Sequence, residues 1–192
     1  MSTVSPVSVV EDAAIDPILV NISDLETPET MTLTGTSDNQ ALIADSGIVV
    51  TGTGGMRTVT LTQVPNASGT ANITLNLSDG NGGTSMQTFA VTITAANDAP
   101  VAVDDQTNVD SDVVTAVMLN VLSNDTDVDT LPANLSVSAV TGGTVGTPFQ
   151  GQYGTITLNA DGSLSYTIDP AAVDELMTGE MVEENINYTI SD

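Results

Sequence analysis

Hydrophobic and polar residues alternate with a period of two along most of this 192-residue chain. In TANITLNLSD (70–79) Ile73, Leu75 and Leu77 share one face, and in TFAVTITA (88–95) Phe89, Val91 and Ile93 do the same. GSLSYTID (162–169) alternates Leu164, Tyr166 and Ile168, and NINYTISD (185–192) alternates Ile186, Tyr188 and Ile190. Side chains of an extended chain point to opposite faces in turn, so this pattern, rich in Thr, Val and Ile, predicts half-buried strands. SDGNGG (78–83), GTGG (52–55) and ADG (160–162) punctuate them as turns. Only AAVDELMTGE (171–180) reads as helical, for a turn or two. Many short strands separated by Gly- and Asp-rich turns predict an all-β chain of β-sandwich type.

The pattern also repeats. Glu11 precedes Asp24 by 13 residues and Asp112 precedes Asp125 by the same 13, while Asp24 and Glu26 map onto Asp125 and Asp127 with one common offset of 101. TLNLSD (74–79) resembles NYTISD (187–192). Two domains, 1–96 and 101–192, joined by the linker NDAP (97–100), have ordinary domain size. Pro100 fixes its own φ and keeps Ala99 extended, so the joint is short and stiff. In the first unit a hairpin and a last strand follow SDG; in the second the repeat predicts a sandwich without that strand. Truncation and donation of the strand by another chain are the two explanations.

Composition narrows the chemistry. Twenty-five acidic residues face a single basic one, Arg57, for a net charge of −24, and Lys, His and Cys are all absent. Nucleic acid and anionic membrane surfaces both need a basic face and are excluded as partners. No thiol or imidazole nucleophile, no Ser-His-Asp relay and no zinc site of the usual kind can be assembled. Aromatic residues make up 3%, without Trp, which argues against stacking platforms for sugars or bases. Paired carboxylates could in principle serve a glycosidase, but nothing supplies its cleft, so the chain reads as no enzyme. No basic n-region with an apolar run opens the sequence, and no stretch nears the ~20 apolar residues of a membrane span. Hydrophobic residues at 40% still suffice for a packed core. Divalent cations are the natural counter-charge.

The acids cluster. NDTDVD (124–129) sets Asp125, Asp127 and Asp129 at alternate positions, and AANDAPVAVDD (95–105) gathers Asn97, Asp98, Asp104 and Asp105 around the linker proline. Calcium takes six to eight hard oxygen ligands, and alternating Asp in a loop can converge on one ion. An EF-hand is ruled out because Thr130 and Ser136 stand where its Gly and Glu belong, and SDGNGGT does not iterate as a calcium-binding nonapeptide would. The plainer reading of any one carboxylate is a turn former on a solvated surface. Arg57 reads as a structural hydrogen-bond hub, Tyr166 and Tyr188 as core, and the NIS, NAS, NIT, NLS, NDT and NYT sequons as chance products of a Thr- and Ser-rich chain.

VAVDDQTNV, NVLSNDTDVD, QYGTITLNADGSLSYTID and YTISD, in that order, resemble the VCBS repeat of large secreted bacterial proteins. ISDLETPETMTLTGTSDNQALI, GTGGMRTVTLT and ASGTANITLNLSDGNGG resemble bacterial cadherin-like repeats, and NDAP resembles their calcium-binding linker. Leu25 and Pro28 stand where the family has an Asp-rich loop. The resemblance implies two tandem Ig-like or cadherin-like Greek-key β-sandwiches, the second lacking its last strand, with Ca2+ at the joint. Carried over residue by residue, it implies a site of Asp125, Asp127, Asp129 and Asp192 from the second unit, Asn97 and Asp98 from the linker and Glu11 from the first unit, with Asp105 joining them or facing water. Asp24, Glu26 and Asp79 would form a weaker half-site in the first unit. The implied role is an extracellular spacer or adhesive segment of a bacterial surface or secreted protein, exported by type I secretion and stiffened by calcium. Its implied partners are neighbouring repeats of the same chain and a cell-surface or glycan ligand, and its implied state is a monomer. Two alternatives are a carbohydrate-binding accessory module of a polysaccharide-degrading enzyme and a strand-exchanging filament subunit.

Overall fold

A computed structural model describes residues 1–24, 31–110, 116–177 and 179–192. The chain is all-β and divides into two compact units, Met1–Ala96 and Asn97–Asp192. Glu26 and Asp112, two of the acids that define the repeat, and Leu25 and Pro28 lie outside the described residues.

The first unit contains β1 (Val7–Val10), β2 (Ile18–Asn21), β3 (Thr32–Ser37), β4 (Ile48–Thr51), β5 (Met56–Leu61), β6 (Gly69–Ser78) and β7 (Thr84–Thr94). One sheet runs β1-β7-β6-β3 and the other β2-β5-β4; β4–β5 and β6–β7 are hairpins within a sheet, while the β1–β2, β2–β3, β3–β4 and β5–β6 connections cross between sheets, as in a Greek-key sandwich. β1 joins β7 in parallel, while the remaining pairs are antiparallel. The alternation read from the sequence sets the inner face: Ile73, Leu75 and Leu77 of β6 and Phe89, Val91 and Ile93 of β7 are all buried. Val20, Val59, Leu42 and Ile43 complete the core from the facing sheet and its loops. Arg57 lies 9% exposed on β5 and donates to the carbonyls of Gly54, Met56 and Met31. The chain's only basic side chain is therefore a backbone-capping hub in the first unit.

The second unit contains β8 (Val117–Asn120), β9 (Ser136–Val140), β10 (Phe149–Gln150), β11 (Gly154–Leu158), β12 (Ser163–Ile168), a one-turn helix α1 (Pro170–Val173) and β13 (Tyr188–Ser191). Its sheets are β10-β11-β12-β8 and β13-β9. Between them sits a smaller core of Val121, Leu122, Leu135, Val137, Val140, Leu158 and Leu164, flanked by partly buried Tyr166, Ile186, Tyr188 and Ile190. In the first unit β6 is flanked by both β3 and β7; the similar β13 pairs with β9 on one edge only, among the described residues.

Two expectations change in detail. The helix expected over 171–180 is one turn, capped by Asp169, whose Oδ1 accepts from Ala171 N–H at 3.0 Å. Met177 and Met181 beyond it are 77% and 83% exposed, and among the described residues of this stretch none is fully buried, so a short helix with so little packing does not propagate. The strand expected over 185–192 begins at Tyr188. The stretch before it is pinned instead by Glu184, whose Oε1 accepts from Gln152 N–H at 3.0 Å and Oε2 from Tyr153 N–H at 2.8 Å and Tyr166 O–H at 3.3 Å. Burial, then the Glu184 charge, pushes the Tyr166 phenol up to about 12. Glu184→Gln would set an amide N–H2 against backbone donors. The expected result is a loss of about 1–2 kcal/mol, read as a fall of roughly 4–8 °C per kcal/mol in the second unit's melting temperature. An unchanged transition in differential scanning calorimetry would remove Glu184 from the account.

Candidate metal centre

The acidic loop of the second unit follows β8. Val121 and Leu122 anchor its start in the core, and the backbone then turns, with Ser123 N–H on the Asn120 carbonyl and Asp125 N–H on the Leu122 carbonyl. The linker-proximal segment lies along this loop. Val101 and Thr126 form a two-way bridge, with N–H to O distances of 2.7 and 3.1 Å. Asp98 N–H donates to Asp129 Oδ2 at 2.7 Å, and Val103 N–H donates to Asp125 Oδ1 at 2.7 Å. Asp127 Oδ1 accepts from the N–H groups of Asp129 and Thr130 at 2.8 and 2.7 Å, the local Asx geometry that Asp favours in turns.

Thus Asp98, Asp125, Asp127 and Asp129, four of the sequence-derived candidates, are brought together on one loop-and-segment unit. Asp125 is only 2% exposed. Its Oδ2 and the Oδ2 of Asp127 are buried without a hydrogen-bond partner. A buried carboxylate oxygen left bare costs more than the roughly 1–3 kcal/mol of a neutral group. Residues 97–192 contain no Lys, Arg or His that could pair with it. Bare hard oxygens with no organic cation are the donor chemistry that calcium takes and that softer metals do not. Among the described residues, however, no three acidic side chains converge closely enough to hold an ion as they stand. The loop therefore presents the donors rather than a closed cage.

Most of the other candidates have partners of their own. Asn97 is exposed and donates to the Asp98 carbonyl at 3.0 Å. Asp192 is exposed just past β13. Asp105 turns to the last strand, where Tyr188 O–H donates to its Oδ2 at 3.0 Å. Burial raises the Asp105 carboxyl above the usual range, the Tyr188 hydrogen bond opposes this, and the neighbouring charges of Asp125 and Asp104 add to it. In the first unit Glu11 is buried and its Oε1 accepts from Ala96 N–H at 2.6 Å, an interaction internal to that unit. Asp24 and Asp79 line one open cavity of about 170 Å³ with Ser23, Met31, Leu77, Gly83, Thr84 and Ser85. Asp79 Oδ1 accepts from Asn81 and Gly83 N–H at 2.7 and 2.9 Å, and a Cβ at Gly83 would require that carboxylate to shift.

Sequence reasoning missed the backbone donors of Val103 and Asp98 and the Tyr188 hydroxyl. The Asp-x-Asp-x-Asp spacing pointed to the loop, but no local signal pairs it with main-chain groups more than twenty residues earlier.

Comparison with known proteins agrees with this architecture. Residues 97–192, half of the chain, match the family described as bacterial cadherin-like domain, and residues 2–92 match the one described as bacterial Ig domain. A curated relative, the calcium-binding lectin RapA2 of Rhizobium johnstonii, is 35% identical over 91 residues, 46% of this chain. The match spans 39% of that relative's length. Among solved structures, chicken VE-cadherin EC1-2 is 14% identical with a TM-score of 0.34, covering 97% of this chain and 95% of its own. The Bacteroides ovatus mixed-linkage glucan utilization protein SGBP-B, solved with a mixed-linkage heptasaccharide, is 18% identical with a TM-score of 0.30, covering 98% of this chain and 38% of its own. Both are too distant to carry a residue across.

Proposed function

The chain belongs to the bacterial cadherin-like domain family, matched over residues 97–192, and on that premise we propose that it is a non-enzymatic, calcium-dependent module of an extracellular bacterial adhesion-type protein. Calcium is held by Asp125, Asp127 and Asp129 with Asp98, and it orders residues 97–105 against the acidic loop of the second unit. The observation that carries this reading is the buried, unpartnered Oδ2 of Asp125 in a unit without a single cationic side chain. Repulsion between unit charges ~4 Å apart is about 1–4 kcal/mol over the range from bulk water to a protein surface. A divalent ion cancels it and draws the loop and the segment onto one centre.

Extracellular calcium modules bind at roughly 0.1–1 mM, so the segment is loose at cytosolic calcium and ordered outside the cell. Isothermal titration with calcium is expected to give a constant in that range. Hydrogen exchange over 97–105 and 124–130 slows when calcium replaces chelator. Absence of heat together with identical exchange in both buffers would sink the reading.

A second reading, glycan recognition, is favoured by the lectin relative. If this chain binds sugar, it does so without an aromatic platform: Phe89 is buried, and Phe149, Tyr153, Tyr166 and Tyr188 are all at least partly buried. Recognition would then rest on calcium and carboxylates, and a glycan array run with calcium and with chelator separates it from a spacer role.

A further inference from the structure

We propose that Tyr188 is a positioning residue for the Asp125 centre, acting through Asp105. This rests on the reading of that centre given above and assigns a role to a side chain outside the ion's own ligands. The geometry runs in one line. Val101 is bridged to Thr126, Val103 N–H sits on Asp125 Oδ1 at 2.7 Å, and two residues further Asp105 Oδ2 takes the Tyr188 hydroxyl at 3.0 Å. Tyr188 is the first residue of β13 and is fixed by its pairing with Val140 of β9. The same hydroxyl stands 3.3 Å from the Val121 carbonyl, at the root of the acidic loop. One phenol therefore touches both the segment that donates to Asp125 and the start of the loop that carries Asp125.

The far end of the segment has weaker support elsewhere. Asn124 Nδ2 reaches the Asp104 carbonyl at 3.4 Å, near the limit of a useful hydrogen bond. Asp105 itself stands in an unfavourable place, half-buried and near the charges of Asp125 and Asp104. A charge-assisted bond from a phenol holds it there. Without that bond the carboxylate gains by turning to water, and the peptide that places Val103 N–H on Asp125 moves with it. Asp125 would then lose the contact that orients its carboxylate and leaves Oδ2 facing the ion. Groups that orient a metal ligand through a hydrogen bond commonly change affinity by 10–100-fold when removed.

The test uses the full chain with Tyr188→Phe, which deletes one oxygen and keeps the ring against the core. Calcium affinity is expected to fall about tenfold, and amide exchange over 101–105 in chelator to quicken. Tyr166→Phe, whose hydroxyl meets Glu184 instead, is expected to leave calcium affinity at the parental value. Asp105→Ala should match Tyr188→Phe, and the double variant should be no weaker than either single one. An unchanged calcium constant in Tyr188→Phe overturns the proposal, whatever the exchange shows. A tighter constant in Tyr188→Phe with a weaker one in Asp105→Ala overturns it too, because Asp105 would then be a ligand that Tyr188 restrains. If the parent binds no calcium, the reading of the centre fails and this proposal with it, an outcome distinct from the other two.

Discussion

Asp125→Asn is expected to be more stable than the parent in chelator and less stable in calcium. In chelator the parent keeps a carboxylate at 2% exposure, with one oxygen on Val103 N–H and the other bare. Asparagine retains an acceptor for Val103 and removes the charge, along with its repulsion of Asp105. Relief of desolvation and repulsion is expected to add about 1 kcal/mol. In ~10 mM calcium, ten to a hundred times a 0.1–1 mM constant, the parent gains roughly 1.4–2.7 kcal/mol by mass action. The variant forfeits most of that gain, so the order of the two proteins inverts. Chemical denaturation of both in both buffers reads the crossing directly. The same ranking in each buffer would mean that Asp125 is an ordinary turn residue and that the charge is tolerated for some other reason.

The second large effect belongs to the smaller core. Leu158 of β11 is fully buried and pairs with Leu164 of β12 across the ladder. Leu158→Ala is expected to cost about 2–5 kcal/mol through lost transfer energy and the cavity left behind. A unit of this length holds only about 5–14 kcal/mol in total, so about a third of its stability is at stake at the middle of both ranges. Leu75→Ala, at an equally buried position of β6, removes the same atoms from the more extensive core of the first unit. Each substitution should lower the transition of the unit that contains it, assigned by hydrogen exchange read peptide by peptide. Met177→Ala, at a residue 77% exposed, should stay within about 0.5 kcal/mol of the parent. A Leu158→Ala penalty below about 1 kcal/mol would show the second core to be loosely packed.

Much of the fold was legible because strand patterning is local. Ile73, Leu75 and Leu77, like Phe89, Val91 and Ile93, could be placed on an inner face from their spacing alone, and all six are buried. The pattern was least reliable where burial was partial. Tyr166 and Tyr188 alternate with apolar residues as core residues do, yet both stop at the edge of the core and use their hydroxyls on Glu184 and Asp105. The segment after Asp169 carries good helix formers, but without a neighbour to cover Met177 and Met181 the helix ends after one turn.

By itself, then, the sequence determined the strand periodicity, the all-β class, the strong net negative charge and the alternating carboxylates that raised the expectation of a hard cation. Each is a property of neighbouring residues or of the whole composition. Only the tertiary structure decided which oxygens are bare and which are satisfied. It put Val103 N–H on one oxygen of Asp125 and left the other buried, turned Asp105 toward Tyr188, and kept Glu11 on Ala96. Those choices depend on closure of the sandwich, which brings together groups between 22 and 85 positions apart. No period of two or of 3.6 encodes a contact at that separation. A carboxylate's neighbours in the sequence say what it can bind, and its neighbours in space say whether it is free to do so.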